Sequence, residues 1–236
     1  IENGVKIVGA HADSPRLDLK PNPLYEEEGL AYFKAHYYGG IKKYQWTTIP
    51  LAMHGVIVKT NGEKIEINIG EQEEDPIFTI TDLLPHLAAE QMERKLKEGI
   101  KGEDLNLLIG SIPYEENVAE AVKLNILAML HEKYGITEVD FTSSEIELVP
   151  AFRAKSAGLD KSMVAAYGQD DKVCAYTALT ALLEQDIPNK TAVCILSDKE
   201  EIGSMGNTGM ESHVFDTFLS ESLNKLGVNT PNLLEK

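Results

Sequence analysis

Apolar and polar positions alternate over short stretches in the first two thirds of the chain, and run in continuous or helical-period blocks in the last third. Residues 5–10 predict a short strand, and the β-rich stretches 31–38, 47–59 and 64–69 predict three more. The last two are joined through Thr60-Asn61-Gly62-Glu63, and Asn-Gly is a strong hairpin-turn pattern. Residues 145–149 alternate as a half-buried strand ahead of Pro150, so the middle of the chain reads as a twisted antiparallel sheet. Two helices interrupt it. Asp82 is placed to cap one running to about Lys97, with His86 in its first turn. Leu84, Ala88, Met92 and Leu96 form its apolar stripe, and Glu90, Glu93, Arg94 and Lys97 its wet face. The other spans about 116–133 and closes at Gly135. Pro15 and Pro21-Asn22-Pro23 are expected to stop regular structure and mark a boundary.

Beyond Pro150 the pattern becomes α/β. Residues 163–167 are short and apolar, Gly168-Gln169-Asp170-Asp171-Lys172 opens a helix over about 173–184, and residues 191–196 predict a strand buried on both faces. That strand breaks abruptly into Asp198-Lys199-Glu200-Glu201, and a last helix follows over 214–226. The predicted fold class is α/β, divided as 1–20, a β-rich insertion at 21–150, and 151–236, with no internal repeat or low-complexity tract.

Composition narrows the functional classes. The chain has 236 residues, 43% of them hydrophobic, enough for a sizeable core. Its 38 acidic and 22 basic residues give a formal charge of −16, which repels phosphate backbones and argues against a nucleic-acid partner. Cys174 and Cys194 both sit in apolar runs and read as buried small hydrophobes of a reducing compartment, a bridge between them being left open. No run reaches the roughly 18 apolar residues needed to cross a bilayer, and no charged-then-apolar leader opens the chain. A soluble, cytoplasmic protein without a membrane partner is expected. The first residue is not Met and the first strand begins almost at once, so the chain is expected to be an internal segment of something longer.

The candidate chemistry lies at strand ends. In an extended segment residues two apart face the same side, so Asp13 can accept the free N–H of the His11 ring, an arrangement usual for metal-bound imidazole. Asp170 and Asp171 stand at a strand-to-helix junction, where helix capping and metal binding are both open to them. Glu200 and Glu201 fall just past a predicted parallel strand, where open α/β sheets bind ligands. The glycine-rich run at 203–209 lacks the Lys-Ser/Thr of a phosphate loop and fits no dinucleotide fingerprint.

The pieces Gly9-Ala10-His11-Ala12-Asp13-Ser14-Pro15, Gln169-Asp170-Asp171 and Asp198-Lys199-Glu200-Glu201-Ile202-Gly203-Ser204, with Pro85-His86-Leu87-Ala88, occur in an order that resembles the M18 metalloaminopeptidases. The similarity spans essentially the whole chain and is strongest to a bacterial branch of that family. It implies a zinc-peptidase-like α/β/α catalytic domain, here partial, interrupted by a β-rich dimerisation domain. It further implies that His11 binds one metal, Asp170 bridges two and Glu201 binds the other. Glu200 would be the general base, Asp13 would orient His11, and His86 would reach a neighbouring subunit's active site. Dimers assembling to a dodecamer are implied as well, acting on peptides. Family members carry an aromatic and Asp-Arg-Asp-rich segment after a Trp, whereas here Trp46 leads into Thr47-Thr48-Ile49-Pro50, so an acidic-residue preference does not carry over.

The chemistry is self-consistent. Two divalent metals sharing a carboxylate lower the pKa of water between them, and a Glu suits the relay of its proton to the leaving amine. Imidazole with carboxylates suits zinc, and manganese or cobalt would fit the same ligands. A related co-catalytic metallopeptidase family and a catalytically silent assembly subunit are the alternatives. A dinuclear site needs about five ligands, one of them shared, and the matched residues supply His11, Asp170 and Glu201. The remainder are expected outside this chain, which by itself is expected to bind metal weakly and not to hydrolyse peptides. His36, His54, His131 and His213 have no matched role and are expected to be structural.

Overall fold

A computed structural model describes residues 4–115 and 117–227. In chain order the strands and helices are β1 (Val5–His11), β2 (Arg16–Glu27), β3 (Leu30–Tyr38), β4 (Leu51–Val58), β5 (Lys64–Ile69), α1 (Ala89–Met92), α2 (Leu96–Gly99), β6 (Asn106–Gly110), α3 (Ala121–Tyr134), β7 (Ser144–Pro150), β8 (Lys155–Ala157), β9 (Met163–Ala165), α4 (Gln169–Leu183), β10 (Thr191–Ser197) and α5 (Val214–Lys225). They divide into two compact units. The described residues up to Pro15 and from Gly168 onward make one, and Arg16–Tyr167 makes the other.

The second unit is built on a six-stranded antiparallel sheet in the order β5-β4-β7-β2-β3-β6. Strand register lines up Ile69, Met53, Leu148 and Leu17 across four neighbouring strands, and all four are buried. This row is the cross-strand packing that stabilises a sheet with one apolar face. Helix α3 lies against β2, β3 and β6, and the Glu26 carboxylate of β2 accepts the N–H groups of Val122 and Lys123 at 2.9 Å each. An anion there satisfies donors that the helix leaves unpaired at its start. The other end closes at Gly135, with φ +63°, as the pattern predicts. The expected start at residue 116 lies outside the described residues. Buried Arg16 pairs with Asp18 of its own strand at 2.8 Å and joins β2 to β7 through Glu147 at 2.9 Å. The β4–β5 hairpin turns where Asn61-Gly62 predicts, with Gly62 at φ +84°. At Gly55 a Cβ would overlap the Glu145 carbonyl oxygen of β7, so only glycine permits β4 to approach so closely.

Three expectations are corrected here. The prolines at 21 and 23 do not end regular structure. β2 runs through them, and its register against β3 shifts between Leu19 and Leu24, an irregularity in which a residue without N–H costs no ladder bond. The long helix expected from Asp82 is absent, replaced by turns and the single-turn α1 and α2. Among the described residues its stripe is left uncovered, since Leu84, Met92 and Leu96 are each about two thirds exposed and only Ala88 is buried. A helix of that length owes most of its stability to such burial. Asp82 Oδ1 accepts the N–H of Leu83 and the side-chain amide of Gln91, and does not cap a helix. The third correction concerns burial in the α/β unit. β10 is half-buried along its length, not covered on both faces, and Cys194 is intermediate while Cys174 is exposed, both as free thiols.

In the α/β unit β1 and β10 pair in parallel from Val5↔Thr191 to His11↔Ser197, and α4 packs on both. Ile7, Val8 and Leu196 remain substantially exposed on these strands.

Candidate active site

Parallel pairing brings the carboxyl ends of β1 and β10 to the same place, with His11 opposite Ser197. The pairing continues one residue further through the Ala12 N–H to the Ser197 carbonyl, 2.8 Å. Two chain segments far apart in sequence therefore leave the sheet side by side. After Ser197 the chain turns sharply, with Lys199 in the left-handed region at φ +64° and a single 3-10 turn over Glu200–Ile202. Asp13 holds that turn. Its buried carboxylate accepts the N–H of Glu200 on Oδ1 and of Glu201 on Oδ2, both at 3.2 Å.

Asp13 also faces the His11 ring. Nδ1 of His11 lies 3.0 Å from the Asp13 carbonyl oxygen and 3.3 Å from its Oδ1, so the proton sits on Nδ1 and Nε2 points away from Asp13. Nε2 lies 3.2 Å from Oδ1 of Asp170 and 3.7 Å from Oε2 of Glu200. Burial works against the charged imidazole, but the Asp13 carbonyl and the Glu200 and Asp13 charges outweigh it and hold His11 above its ordinary pKa. Glu201 is raised as well, first by burial, with the His11 charge opposing and the carboxylates of Asp13, Asp170 and Glu200 adding. Four carboxylates around one imidazole are therefore short of positive charge.

At the strand-to-helix junction the two aspartates have different partners. Asp170 and Asp171 both have non-helical backbone, and the peptide bond between them is cis. Asp171 is held below its ordinary pKa by the Cys174 thiol and amide and by the His11 N–H, which is how a helix-capping carboxylate behaves. Asp170 is exposed and faces His11 Nε2. Gly168, at φ +74°, leaves no room for a Cβ, which would stand 2.9 Å from Oγ of Ser14.

Among the described residues no three His, Cys, Asp or Glu side chains converge as a metal site. One pair of donors does stand close together. Two ligands about 2 Å from a tetrahedral zinc stand roughly 3.3 Å apart, and His11 Nε2 and Asp170 Oδ1 meet that spacing at 3.2 Å. The donor types, imidazole and carboxylate, and the excess of negative charge fit a divalent cation. A cleft of about 360 Å³ opens beside them, lined in part by Gly9, His11, Asp171, Glu200, Ser204 and Met210. The β-rich unit has a larger cavity, about 970 Å³ around Trp46, Phe152 and Tyr167, but none of the predicted site residues lines it.

His86 lies in a turn of the β-rich unit and is exposed. His54 pairs with Glu71 at 3.0 Å, His131 faces the Ile136 carbonyl at 3.3 Å, His36 the Tyr37 carbonyl at 3.3 Å, and His213 lies 3.6 Å from Asp216. The glycine-rich loop folds on itself, a Cβ at Gly209 overlapping the Ser204 carbonyl, and Thr208 donates to Asp198 at 2.8 Å. The sequence pattern did not reveal Lys172, whose ammonium reaches the Ala12 carbonyl at 2.9 Å. No local motif marks such a contact, because its partner is 160 residues away.

The chain is similar to known proteins along essentially its whole length. The model of the M18 family, described as aminopeptidase I zinc metalloprotease, matches residues 1–235. The "Probable M18 family aminopeptidase 1" of Clostridium acetobutylicum is 54% identical over 225 residues, covering 95% of this chain and 48% of that protein. The protein of the same name from Thermotoga maritima is 55% identical over 227 residues, covering 96% and 50%. The crystal structure of an M18-family aminopeptidase from Thermotoga maritima superposes with a TM-score of 0.93 at 54% identity, covering 97% of this chain and 50% of that one. The chain thus spans about half the length of the relatives it matches. On the strength of the family match along its whole length and of these identities, the chain belongs to the M18 family of aminopeptidases.

Proposed function

We propose that this chain forms part of a dinuclear metalloaminopeptidase that releases N-terminal residues from peptides. The observation that carries the reading is the 3.2 Å approach of His11 Nε2 to Asp170 Oδ1 at the ends of two parallel strands, beside the Glu200-Glu201 turn. His11, Asp170 and Glu201 would hold the metals, with Asp170 shared, and zinc is favoured over manganese or cobalt by the family description. Bound there, the cations would polarise the scissile carbonyl and acidify the attacking water. Glu200, on the exposed side of the turn, takes the water proton and returns it to the leaving amine. Asp13 fixes the His11 tautomer that leaves Nε2 unprotonated, and holds the Glu200 and Glu201 backbone in place.

The two units take different parts in this reading. Ile7, Val8 and Leu196 are exposed on a two-stranded parallel sheet, and parallel sheets are normally covered on both faces. That supports a unit which is part of a larger catalytic domain. The β-rich unit is the inserted dimerisation domain. Leu83, Leu84, Leu87, Met92 and Leu96 are all more than half exposed around His86, an apolar surface suited to a subunit contact that delivers His86 to a neighbour's site. Dimers would then assemble to a dodecamer. No helix of the described residues is long and apolar enough to cross a membrane, and two free thiols suit a cytoplasmic setting.

The test uses the complete protein, stripped with a chelator and assayed on aminoacyl-nitroanilides. Activity should disappear on stripping and return with zinc, manganese or cobalt. A complete protein that releases no nitroaniline with any of them would point instead to a silent assembly subunit.

A further inference from the structure

The residues on either side of the candidate metal pair are strapped together by contacts that the metal reading does not use. His11 donates its backbone N–H to Oδ2 of Asp171 at 3.2 Å. Lys172 donates to the Ala12 carbonyl at 2.9 Å and approaches Oγ of Ser14 at 3.4 Å, and Ser14 Oγ donates to the Asp170 carbonyl at 3.3 Å. Residues 170, 171 and 172 thus each grip the segment from His11 to Ser14.

The direct approach of His11 Nε2 to Asp170 Oδ1 cannot be what keeps the pair together once a cation is bound, because Nε2 must then offer its lone pair and not a proton. The strap has no such conflict. It acts on the backbone of His11 and Ala12, leaving Nδ1 for Asp13 and Nε2 free. Asp171 itself is spoken for by the His11 N–H and by the Cys174 thiol and amide, so it acts on the pair as a holder and not as a ligand.

We propose that Asp171 and Lys172 are positioning residues that hold His11 and Asp170 at ligand spacing before any metal arrives. The proposal rests on the reading of His11 and Asp170 as metal ligands. Outer partners of this kind typically change metal affinity when removed.

The experiment compares Asp171→Ala, Asp171→Asn and Lys172→Met with wild type in the complete protein. Zinc affinity is measured by competition with a chromophoric chelator, and amide hydrogen exchange at His11 is measured in the metal-free protein. Asp171→Ala should weaken zinc binding about 10- to 100-fold and speed exchange at His11, with Lys172→Met weakening zinc binding less. Asp171→Asn keeps an acceptor oxygen for the His11 N–H and should retain most of the affinity and protection. If Asp171→Ala binds zinc like wild type, or if Asp171→Asn is as damaged as Asp171→Ala, the positioning role is wrong while the metal site stands. Should wild type itself take up no zinc, the metal reading fails and the proposal with it. Where Asp171→Ala does not fold, Lys172→Met decides, and its unchanged affinity and exchange would overturn the strap.

Discussion

Asp13 accepts the backbone N–H of Glu200 at 3.2 Å across 187 residues of sequence. The same carboxylate takes the N–H of Glu201 and stands 3.3 Å from Nδ1 of His11, so one buried side chain orients groups on both strand ends.

Replacing Asp13 should therefore harm two things at once. In the complete protein Asp13→Ala is expected to lower kcat/KM by about 10- to 100-fold or more, the range for partners that orient metal ligands. Asp13→Asn can accept one of the two N–H groups and should fall between. Steady-state kinetics with zinc titration checks this, and an Asp13→Ala enzyme with wild-type kinetics would remove Asp13 from the site.

The neighbouring glutamates should separate by function. Glu200→Gln is expected to cut turnover by at least about 10²- to 10⁴-fold, the usual contribution of a general base, while metal content by elemental analysis stays near that of wild type. Glu201→Gln should instead lower the occupancy of one metal. Equal loss of metal in both variants would refute that division.

His86 sits in an exposed turn, with exposed Leu84 and Leu87 close to it in sequence, so its effect should depend on assembly. His86→Ala is expected to depress kcat more than it raises KM, as for a contact made chiefly in the transition state. Subunits carrying His86→Ala, mixed with subunits carrying Glu200→Gln, should recover activity in mixed dimers. Failure to recover any would place His86 outside the partner's site.

The β-rich unit carries an acid-sensitive carboxylate. Asp140 accepts the Thr137 N–H at 2.7 Å and its hydroxyl at 2.8 Å, and these bonds hold it below the ordinary Asp pKa. A depressed carboxyl contributes stability that is present above its unfolded-state pKa and is lost as pH falls through the folded value. Urea midpoints measured from about pH 5 down to 3 should fall more steeply for wild type than for Asp140→Asn. Parallel curves would show that these bonds do not contribute to stability.

Local rules carried much of this protein. β-rich composition placed β3 and β5 within a residue or so, and period-two alternation placed β7, because a strand with one buried face must alternate. Asn61-Gly62 and Gly135 marked their turns because few residues tolerate positive φ. The candidate residues stood out too, as His-x-Asp, Asp-Asp and Glu-Glu at element ends, and the roles proposed for them rest on the resemblance to the M18 family that the order of these motifs carries. What the sequence could not decide was whatever depends on a distant partner. The helix expected after Asp82 did not form where its apolar stripe is left uncovered among the described residues, and the exposure of Cys174 and the half-burial of β10 depend on what packs against them. Which aspartate takes the His11 backbone N–H and which faces its ring was decided only when parallel pairing of β1 with β10 brought His11 to the helix start. Periodicity reports which face of an element is apolar, and tertiary contact alone determines what that face, or a charged group at its end, will meet.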